Sequence, residues 1–338
     1  MGSPHSEAAS APPPTLFLSD EDVGQLADWP AAIAALRQAY AQPTAPAAVP
    51  PRSMARGDGL WLRGLSAVSP TGAHMGCKLI AASMTARCAS YLVSLFDQRT
   101  TALAALIDGN RITGIRTAAT AALAVDAAAP RRPLSVAVIG AGFEARGLLS
   151  ALAAARALSR VRVYSPTPQR RKAFAADFHQ QLCDDVQASP SAEAAVAGAD
   201  VVLCAARSRD ETPVLQGRWL DVGTTVVSIG STLPEQREVD ADTVARSAFI
   251  VADMPEEVAH DTGDMLAARS AGVAFEDRLH PLTELVAGRL PRKAEDIVLY
   301  KSVGSALQDV VVAEVLLQRA LASGHGQALA RSIVPVAK

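Results

Sequence analysis

The second half of the chain alternates short apolar runs with longer amphipathic stretches. Nearly continuous apolar runs, typical of strands that are buried on both faces, lie at 134–139, 161–164, 201–204, 226–228 and 249–252. Helical patterns extend from the first run to about residue 158 and over 168–182. Strands separated by helices favour right-handed crossovers and a parallel sheet. We therefore predict an α/β protein with a doubly wound parallel sheet in this half.

The first half has a different pattern of apolar positions. Acidic residues at 20–22 begin an apolar-periodic stretch through Tyr40, which predicts a helix. A mixed or antiparallel sheet is predicted next, from short β-like runs at 60–65, 76–82, 91–96 and 102–107. The turn pair Asp108-Gly109 closes the last run, and it predicts positive φ there. An alanine-rich helix over 117–129 stops before Pro130, and a final helix is predicted over 303–322.

The chain has 338 residues, of which 49% are hydrophobic and 20% are charged. Because single cores stop growing near roughly 250–300 residues, this length predicts two domains. The formal net charge is −2, with acids and bases interspersed. That charge excludes the basic surface typical of proteins that bind nucleic acid or an acidic membrane. A small-molecule ligand is predicted instead.

The N-terminal segment 1–14 ends in A-P-P-P and has neither an apolar core nor a basic start, so it predicts a disordered tail rather than a signal peptide. No run reaches the ~18 strongly apolar residues of a membrane-spanning helix. These features predict a cytoplasmic protein. The cysteines form no C-x-x-C pair and the histidines form no H-x-x-x-H pair, so we predict no metal site.

A glycine turn follows the first strand of the second half. Its residues are Gly140, Ala141, Gly142, Phe143, Glu144 and Ala145. Gly140 permits a tight turn, Gly142 lets the backbone approach a pyrophosphate, and the small Ala145 lets the next helix pack closely. The start of that helix presents free N–H groups to phosphates. The strand before the turn and the helix after it predict a Rossmann-type dinucleotide site.

The second strand of this unit ends without an acid, which bears on the choice of cofactor. An Asp or Glu at that point would bind the ribose 2′-hydroxyl of NAD, whereas hydroxyls and guanidinium groups suit the 2′-phosphate of NADP. Ser165, Thr167 and Arg170 lie in this position. We predict NADP as the preferred cofactor and NAD as the alternative. The basic residues at 170–172 also fit a simpler role as the solvated start of a helix.

Three basic residues of the first half stand in apolar surroundings: Arg52, Lys78 and Arg116. A lysine in a buried strand is costly unless it is paired or functional. From composition alone, Lys78 could equally be a strand residue whose ammonium reaches solvent at a sheet edge, and Arg116 could form an ordinary salt bridge.

The surroundings of these residues resemble the ornithine cyclodeaminase/mu-crystallin family. The segment 108–119, D-G-N-R-I-T-G-I-R-T-A-A, is similar to its D-G-x-x-[IL]-T-x-x-R-T-A-A signature. Four further segments agree in order with motifs of the family: G-C-K at 76–78, the glycine turn, R-E-V-D at 237–240 and Y-K-S-V-G at 300–304. The resemblance covers about residues 16–325.

The resemblance implies a homodimer with a discontinuous α+β domain for substrate binding and dimerisation, at 15–118 and 311–338, and a central Rossmann domain at 119–310. It implies that Arg52 and Arg116 bind a substrate carboxylate, and that Lys78 also contacts the substrate and acts as the catalytic acid or base. The remaining residues that it implies for cofactor binding, besides the glycine turn and the segment at 165–170, are Arg116, Thr117, Ala205 and Ser302.

Two departures from the family bear on the reaction. Cyclodeaminases carry an aspartate in G-G-D-x-P, whereas this chain has G-S-T-L-P at 230–234, with Thr232 at that place beside the substrate. A threonine hydroxyl does not serve as a carboxylate base near neutral pH. The family's loop after the lysine strand is also replaced, at 81–87, by A-A-S-M-T-A-R.

We therefore predict an NAD(P)H-dependent reductase that acts on the C=N bond of an imino acid or cyclic ketimine carboxylate, or equivalently an amino-acid dehydrogenase. One alternative is an ornithine or lysine cyclodeaminase that uses NAD catalytically. Another is a non-catalytic, NADPH-dependent binding protein for a small carboxylate, as mu-crystallin's membership of the family allows.

Overall fold

The computed structural model describes residues 14–330, 333, 335 and 336. Its strands are β1 (Leu16–Leu18), β2 (Ser53–Gly57), β3 (Leu60–Val68), β4 (His74–Ser83), β5 (Cys88–Asp97), β6 (Leu103–Asp108), β7 (Leu134–Ile139), β8 (Leu158–Tyr164), β9 (Val186–Ala188), β10 (Val201–Cys204), β11 (Thr225–Ser228), β12 (Ser247–Ala252), β13 (Leu279–Pro281), β14 (Ile297–Lys301) and β15 (Gln327–Ala328). Its α-helices are α1 (Asp20–Leu26), α2 (Trp29–Tyr40), α3 (Gly109–Ala128), α4 (Phe143–Ala155), α5 (Pro168–Phe178), α6 (Ala192–Val196), α7 (Ala241–Arg246), α8 (Pro255–Asp261), α9 (Gly263–Ser270), α10 (Leu282–Val286) and α11 (Ala306–Ser323).

The second half forms an eight-stranded sheet in the order β13-β12-β14-β11-β10-β7-β8-β9. All its strand pairs are parallel. From β7 the chain builds outward through β8 and β9, then crosses to β10 on the other side. The carboxyl ends of β7 and β10 therefore border the crevice where doubly wound sheets bind ligands. The predicted α/β class with a Rossmann-type sheet is confirmed.

The first half contributes a mixed sheet in the order β15-β1-β6-β5-β4-β3-β2, as predicted. Only β1 and β6 pair in parallel among its described strands. One face packs against α11 through β3, β4 and β5, and it carries buried side chains such as Leu65, Val93 and Ile107. On the opposite face, Leu62 and Leu79 are 47% and 37% exposed.

The predicted turn at Asp108-Gly109 is wrong. The Asp108 carboxylate accepts a hydrogen bond from Asn110 N at 2.9 Å and caps α3, which begins at Gly109 and not at the predicted residue 117. Gly109 is not among the residues with positive φ. Glycines conceal this helix in the sequence. Gly114 leaves room for the exposed Phe143 ring of α4, whose Cε1 would lie 2.6 Å from a Cβ at residue 114. The domain boundary proposed between residues 118 and 119 falls inside α3.

The helix predicted to reach Tyr40 is two helices. The Asp28 carboxylate accepts a hydrogen bond from Ala31 N at 2.9 Å and caps α2, which carries a proline in its first turn. An aspartate followed by a proline starts a new helix rather than continuing the old one. The last helix begins at Ala306, after its cap Ser305, and not at residue 303. The predicted tail, 1–14, lies outside the described residues except for its final position.

None of the described helices is long and apolar enough to cross a lipid bilayer.

Candidate active site

The glycine turn sits at the crevice between β7 and β10. Gly140 has φ +120°, and a Cβ there would lie 2.7 Å from the carbonyl oxygen of Ala205, the first residue after β10. Gly142 caps α4 without a side chain, and a Cβ on Gly142 would meet nothing within 4 Å. The start of α4 thus has no side-chain cap and leaves open space beside Gly142, both of which a bound pyrophosphate at this helix end would need. Ala145 is fully buried against the sheet, as its predicted packing role demands.

The ribose end of this crevice lies after β8. Ser165 is buried, and its carbonyl oxygen accepts a hydrogen bond from Arg171 Nη1 at 2.8 Å. The Arg171 guanidinium also lies over the Tyr164 ring, with Cζ 5.6 Å from the ring centroid, so its role here is partly structural. Thr167 and Arg170 are exposed, and Arg170 forms no ion pair with any described residue.

A buried ion cluster joins β4, α3 and α11. Lys78 Nζ lies 2.7 Å from Asp309 Oδ1, and Arg116 Nε lies 3.3 Å from the same oxygen. Both Lys78 and Asp309 are inaccessible, with exposed fractions of 1% and 0%. Burial lowers the pKa of Lys78 to about 8, although the Asp309 carboxylate opposes this shift. An amine with this pKa can exchange a proton near neutral pH.

The two predicted carboxylate ligands meet at Gly304. Arg52 Nη2 donates to the carbonyl oxygens of Val303 and Gly304, at 3.3 and 3.4 Å, and Arg52 also pairs with Glu257. The Arg116 guanidinium lies so close to Gly304 that a Cβ there would be 2.5 Å from Nη1. The structure therefore brings Arg52, Lys78 and Arg116 together from three distant segments.

Hydrogen bonds behind Arg116 fix its orientation. Gln308 accepts from Arg116 Nη1 at 3.0 Å and donates through Nε2 to Tyr40 Oη and Asp253 Oδ2, both at 3.0 Å. The Ser302 hydroxyl donates to the same Asp253 oxygen at 2.6 Å. Ser302, predicted to contact the cofactor, is therefore held by an acid that the sequence did not single out.

Glu144 connects the glycine turn to the ion cluster. Burial raises the pKa of Glu144, and the positive charges of Arg116 and Lys78 oppose this shift. The packing of α4 against α3, the helix that carries Arg116, brings the start of α4 close to the ion cluster. Phe143, also predicted at the cofactor, is 66% exposed and lies against Gly114.

Two predicted residues have their polar atoms engaged locally. The Thr117 hydroxyl donates to Thr113 O at 2.7 Å inside α3. Thr232 bonds to Gln236 Oε1 through its amide at 2.9 Å and its hydroxyl at 3.3 Å, and none of its hydrogen bonds among the described residues reaches Arg52, Lys78 or Arg116.

A second buried network holds the rim of the crevice. The Glu238 carboxylate accepts from Ala206 N at 3.0 Å, after β10, and from Gly230 N at 2.8 Å, after β11. Ser228 Oγ donates to Glu238 at 2.7 Å and accepts from Lys301 Nζ at 3.0 Å. Burial raises the pKa of Glu238, and Lys301 opposes this shift. One carboxylate thus ties together two loops that border the cofactor crevice.

Comparisons with known proteins agree with this architecture. The family model described as "Ornithine cyclodeaminase/mu-crystallin family" matches residues 75–324. The mouse ketimine reductase mu-crystallin is 30% identical over 224 residues, which are 66% of this chain and 67% of that protein. The Δ1-pyrroline-2-carboxylate reductase of Bacillus cereus is 28% identical over 239 residues, 70% of this chain and 73% of that protein.

Among solved structures, the Δ1-pyrroline-2-carboxylate reductase of Thermococcus litoralis, in complex with NADH and L-proline, matches with a TM-score of 0.83 and 26% identity. The match covers 93% of this chain and 100% of that chain. The resemblance carried by the D-G-N-R-I-T-G-I-R-T-A-A segment is thereby confirmed, and the chain belongs to the ornithine cyclodeaminase/mu-crystallin family.

Proposed function

We propose that this protein is an NAD(P)H-dependent reductase of the C=N bond in an imino acid or cyclic ketimine carboxylate. The observation that carries the proposal is the buried Lys78, whose pKa of about 8 suits proton transfer, placed with Arg52 and Arg116 beside a dinucleotide turn. The related reductases from mouse, Bacillus cereus and Thermococcus litoralis support it.

In this mechanism, the arginines bind and Lys78 moves the proton. The guanidinium forks of Arg52 and Arg116, both in contact with Gly304, hold the substrate carboxylate. A reduced nicotinamide, when bound, supplies the hydride to the imine carbon. The Lys78 ammonium donates its proton to the imine nitrogen, while Asp309 holds Nζ in place at 2.7 Å. The product is an amino acid, and oxidation of an amino acid follows the reverse path.

Cyclodeamination is not favoured by the residues present. Loss of ammonia would need a carboxylate where this chain has Thr232, and the Thr232 hydroxyl is bonded to Gln236. A purely carrier function leaves unexplained why a lysine of lowered pKa stands between two arginines. We therefore retain the reductase.

For the cofactor, we propose NADP in preference to NAD. No acidic side chain follows β8 between residues 165 and 172, and Arg170 projects there unpaired among the described residues. A guanidinium in that position can bind a 2′-phosphate bidentately.

We also propose a homodimer that forms through the exposed face of the mixed sheet. Leu92 of β5, 37% exposed, extends the patch of Leu62 and Leu79 on the strand next to that of Leu79, and Phe17 of β1, also 37% exposed, lies on the same face beyond β6. An apolar patch of this kind is typical of an interaction surface. The division into an α+β domain at 15–118 and 311–338 and a Rossmann domain at 119–310 stays a prediction, as does a cytoplasmic location.

A panel assay tests the proposed function. Purified protein is mixed with NADPH or NADH and with cyclic and open-chain imino acids, and the absorbance of the reduced cofactor is followed. We expect turnover with at least one imino acid and a lower KM for NADPH. Ammonia release from ornithine without any imine reduction would instead identify a cyclodeaminase, and cofactor binding without either activity would identify a carrier.

The pKa of Lys78 predicts the pH dependence of the reaction. Below pH 8 the side chain is an ammonium and can donate a proton, and above pH 8 it is an amine and can accept one. The kcat/KM for imine reduction should therefore fall as pH rises through about 8, and the kcat/KM for amino-acid oxidation should rise. The measurement is a pair of pH profiles.

The variant Lys78→Arg is the control for these profiles, since a guanidinium keeps its proton throughout this range. In this variant the change of kcat/KM near pH 8 should disappear from both profiles. If kcat/KM of Lys78→Arg still changed near pH 8, the ionisation that causes the change would belong to another group, such as the substrate.

A further inference from the structure

Arg63 lies on the same face of the mixed sheet as Lys78. In the β3–β4 register, Leu65 is opposite Lys78 and Arg63 is opposite Ile80. Because side chains alternate along a strand, Arg63 and Leu65 share the face that carries Lys78. Tyr91 is opposite Ile80 in the β4–β5 register, so Arg63 and Tyr91 flank Ile80 in one cross-strand row. Two residues of strand separate this row from that of Lys78, a distance of about 7 Å.

Arg63 is the cation of this site that lacks an acid. Arg52 pairs with Glu257, and Lys78 and Arg116 share Asp309. Within the part of the chain that the structure describes, Arg63 forms no ion pair, and its buried Nε has no hydrogen-bond partner. Its guanidinium lies over the Trp61 ring, with Cζ 5.2 Å from the centroid. A ring face attracts a cation but satisfies none of its N–H donors.

The neighbours of Arg63 place it at the substrate site. Burial lowers the pKa of Arg63, and the positive charge of Arg52 lowers it further, whereas Glu257 opposes the shift. In the β2–β3 register Met54, two residues after Arg52, is opposite Arg63, so Arg63 lies near Arg52, one of the two proposed anchors of the substrate carboxylate. The buried Nε of Arg63 has no hydrogen-bond partner among the described residues, which is costly in the free protein, and an anion arriving beside it would accept that hydrogen bond.

We propose that Arg63 binds a second acid group of the substrate, at the end remote from the carboxylate held by Arg52 and Arg116. The substrate class is then a 2-imino dicarboxylate with an open chain of four or five carbons. This assignment rests on the proposed function and narrows it. Arg63 shares a sheet face with Lys78 but lies on a different cross-strand row, as a group that binds the end of the substrate remote from the imine nitrogen requires.

The placement of Arg63 also disfavours other substrates of the same reaction. A cyclic ketimine monocarboxylate presents only methylene groups to Arg63, which would leave the guanidinium desolvated and unpaired. A diamino acid would bring a second ammonium towards Arg63, and like charges repel in a partly buried cavity. A carboxylate accepts hydrogen bonds from the guanidinium and neutralises it.

Matched pairs of 2-oxo acids, each supplied with ammonia and NAD(P)H, test this assignment. 2-Oxoglutarate is compared with 2-oxopentanoate, and oxaloacetate with 2-oxobutanoate, so each pair differs only by the second acid group. We expect the kcat/KM of the wild-type protein to favour the dicarboxylate in each pair by roughly 10- to 100-fold, the strength of a hydrogen bond to a charged group. Δ1-Pyrroline-2-carboxylate serves as the cyclic reference.

Substitutions then show whether Arg63 causes this preference. In Arg63→Gln the ratio of kcat/KM values within each pair should fall towards one, and Arg63→Lys should retain part of it. The exposed Arg99, in the turn between β5 and β6, provides a control of equal charge change: Arg99→Gln should keep the wild-type ratio. A structural role for Arg63 would lower both members of a pair equally and would overturn the assignment.

The possible outcomes separate this assignment from the proposed function. Turnover of Δ1-pyrroline-2-carboxylate without a preference for dicarboxylates would leave the reductase standing and refute the role of Arg63. Absence of turnover with every imine would refute the reductase. The role of Arg63 would then be decided by calorimetry, with L-glutamate and L-norvaline titrated into the protein loaded with NADP⁺ or NAD⁺: equal affinities refute it, and an Arg63-dependent preference for L-glutamate supports it.

Discussion

Replacing Lys78 with methionine should lower kcat for imine reduction by roughly 10²- to 10⁴-fold, the usual contribution of a positioned acid or base. Methionine has a similar length but carries no proton to donate. Cofactor binding should be retained, because the glycine turn follows β7 of the parallel sheet, whereas Lys78 lies on β4 of the mixed sheet. Steady-state kinetics and a fluorescence titration with NADPH measure the two properties.

The control for this variant is Lys293→Met, which removes an exposed lysine from the loop before β14. It should have wild-type kinetics. If Lys78→Met kept more than a tenth of the wild-type kcat, the proton would have to come from elsewhere, and Lys78 would be a binding residue only.

The second large effect concerns stability. Asp264→Leu should lower the free energy of unfolding by about 3–5 kcal/mol, because it leaves a buried ammonium without its counter-ion. Lys301 Nζ lies 3.0 Å from Asp264 Oδ2, and both side chains have an exposed fraction of 0%. Asp264 also accepts the amide of Glu238 at 2.8 Å, so its loss disturbs the carboxylate that ties the crevice loops. Urea denaturation followed by circular dichroism measures the change.

The double variant Asp264→Leu/Lys301→Met separates the charge from the packing. Removing Lys301 as well leaves no unpaired ammonium, so part of the lost stability should return. The rest should stay lost, because the buried Glu238 carboxylate then lacks the positive charge of Lys301. Equal stability of the single and double variants would show that the backbone hydrogen bonds of Asp264, rather than its pairing with Lys301, account for the effect.

Much of the fold follows from local patterns in the sequence. The runs that became β7 and β10 are apolar apart from Ser135 because both of their faces are covered, so they could be identified without a structure. The start of α3 could not, since its glycines oppose a helix locally and only the ring of Phe143 against Gly114 explains one of them. Tertiary packing there outweighs intrinsic helix propensity.

The cations of the candidate site could be predicted from the sequence, but the acids that pair with them could not, because those contacts also depend on tertiary packing. Arg52, Lys78 and Arg116 stand out as cations in apolar segments, but their partners do not. Asp309 lies 231 positions from Lys78 in the sequence, and no local pattern joins them. A signal was nonetheless present, because an acid directly before the apolar run Val310, Val311 and Val312 of α11 needs a buried cation. Arg63 gave no such signal, since strand alternation predicts only which face it occupies.

Gly304 shows how a missing side chain can determine recognition. Its φ of +86° favours glycine, and the space that a Cβ would fill is taken by the Arg116 guanidinium, while its carbonyl oxygen accepts from Arg52 at 3.4 Å. Both guanidinium groups thus contact the same residue, Arg116 at its Cα and Arg52 at its carbonyl oxygen. A side chain at position 304 would therefore displace the Arg116 guanidinium and disturb the carboxylate site that we propose for the two arginines.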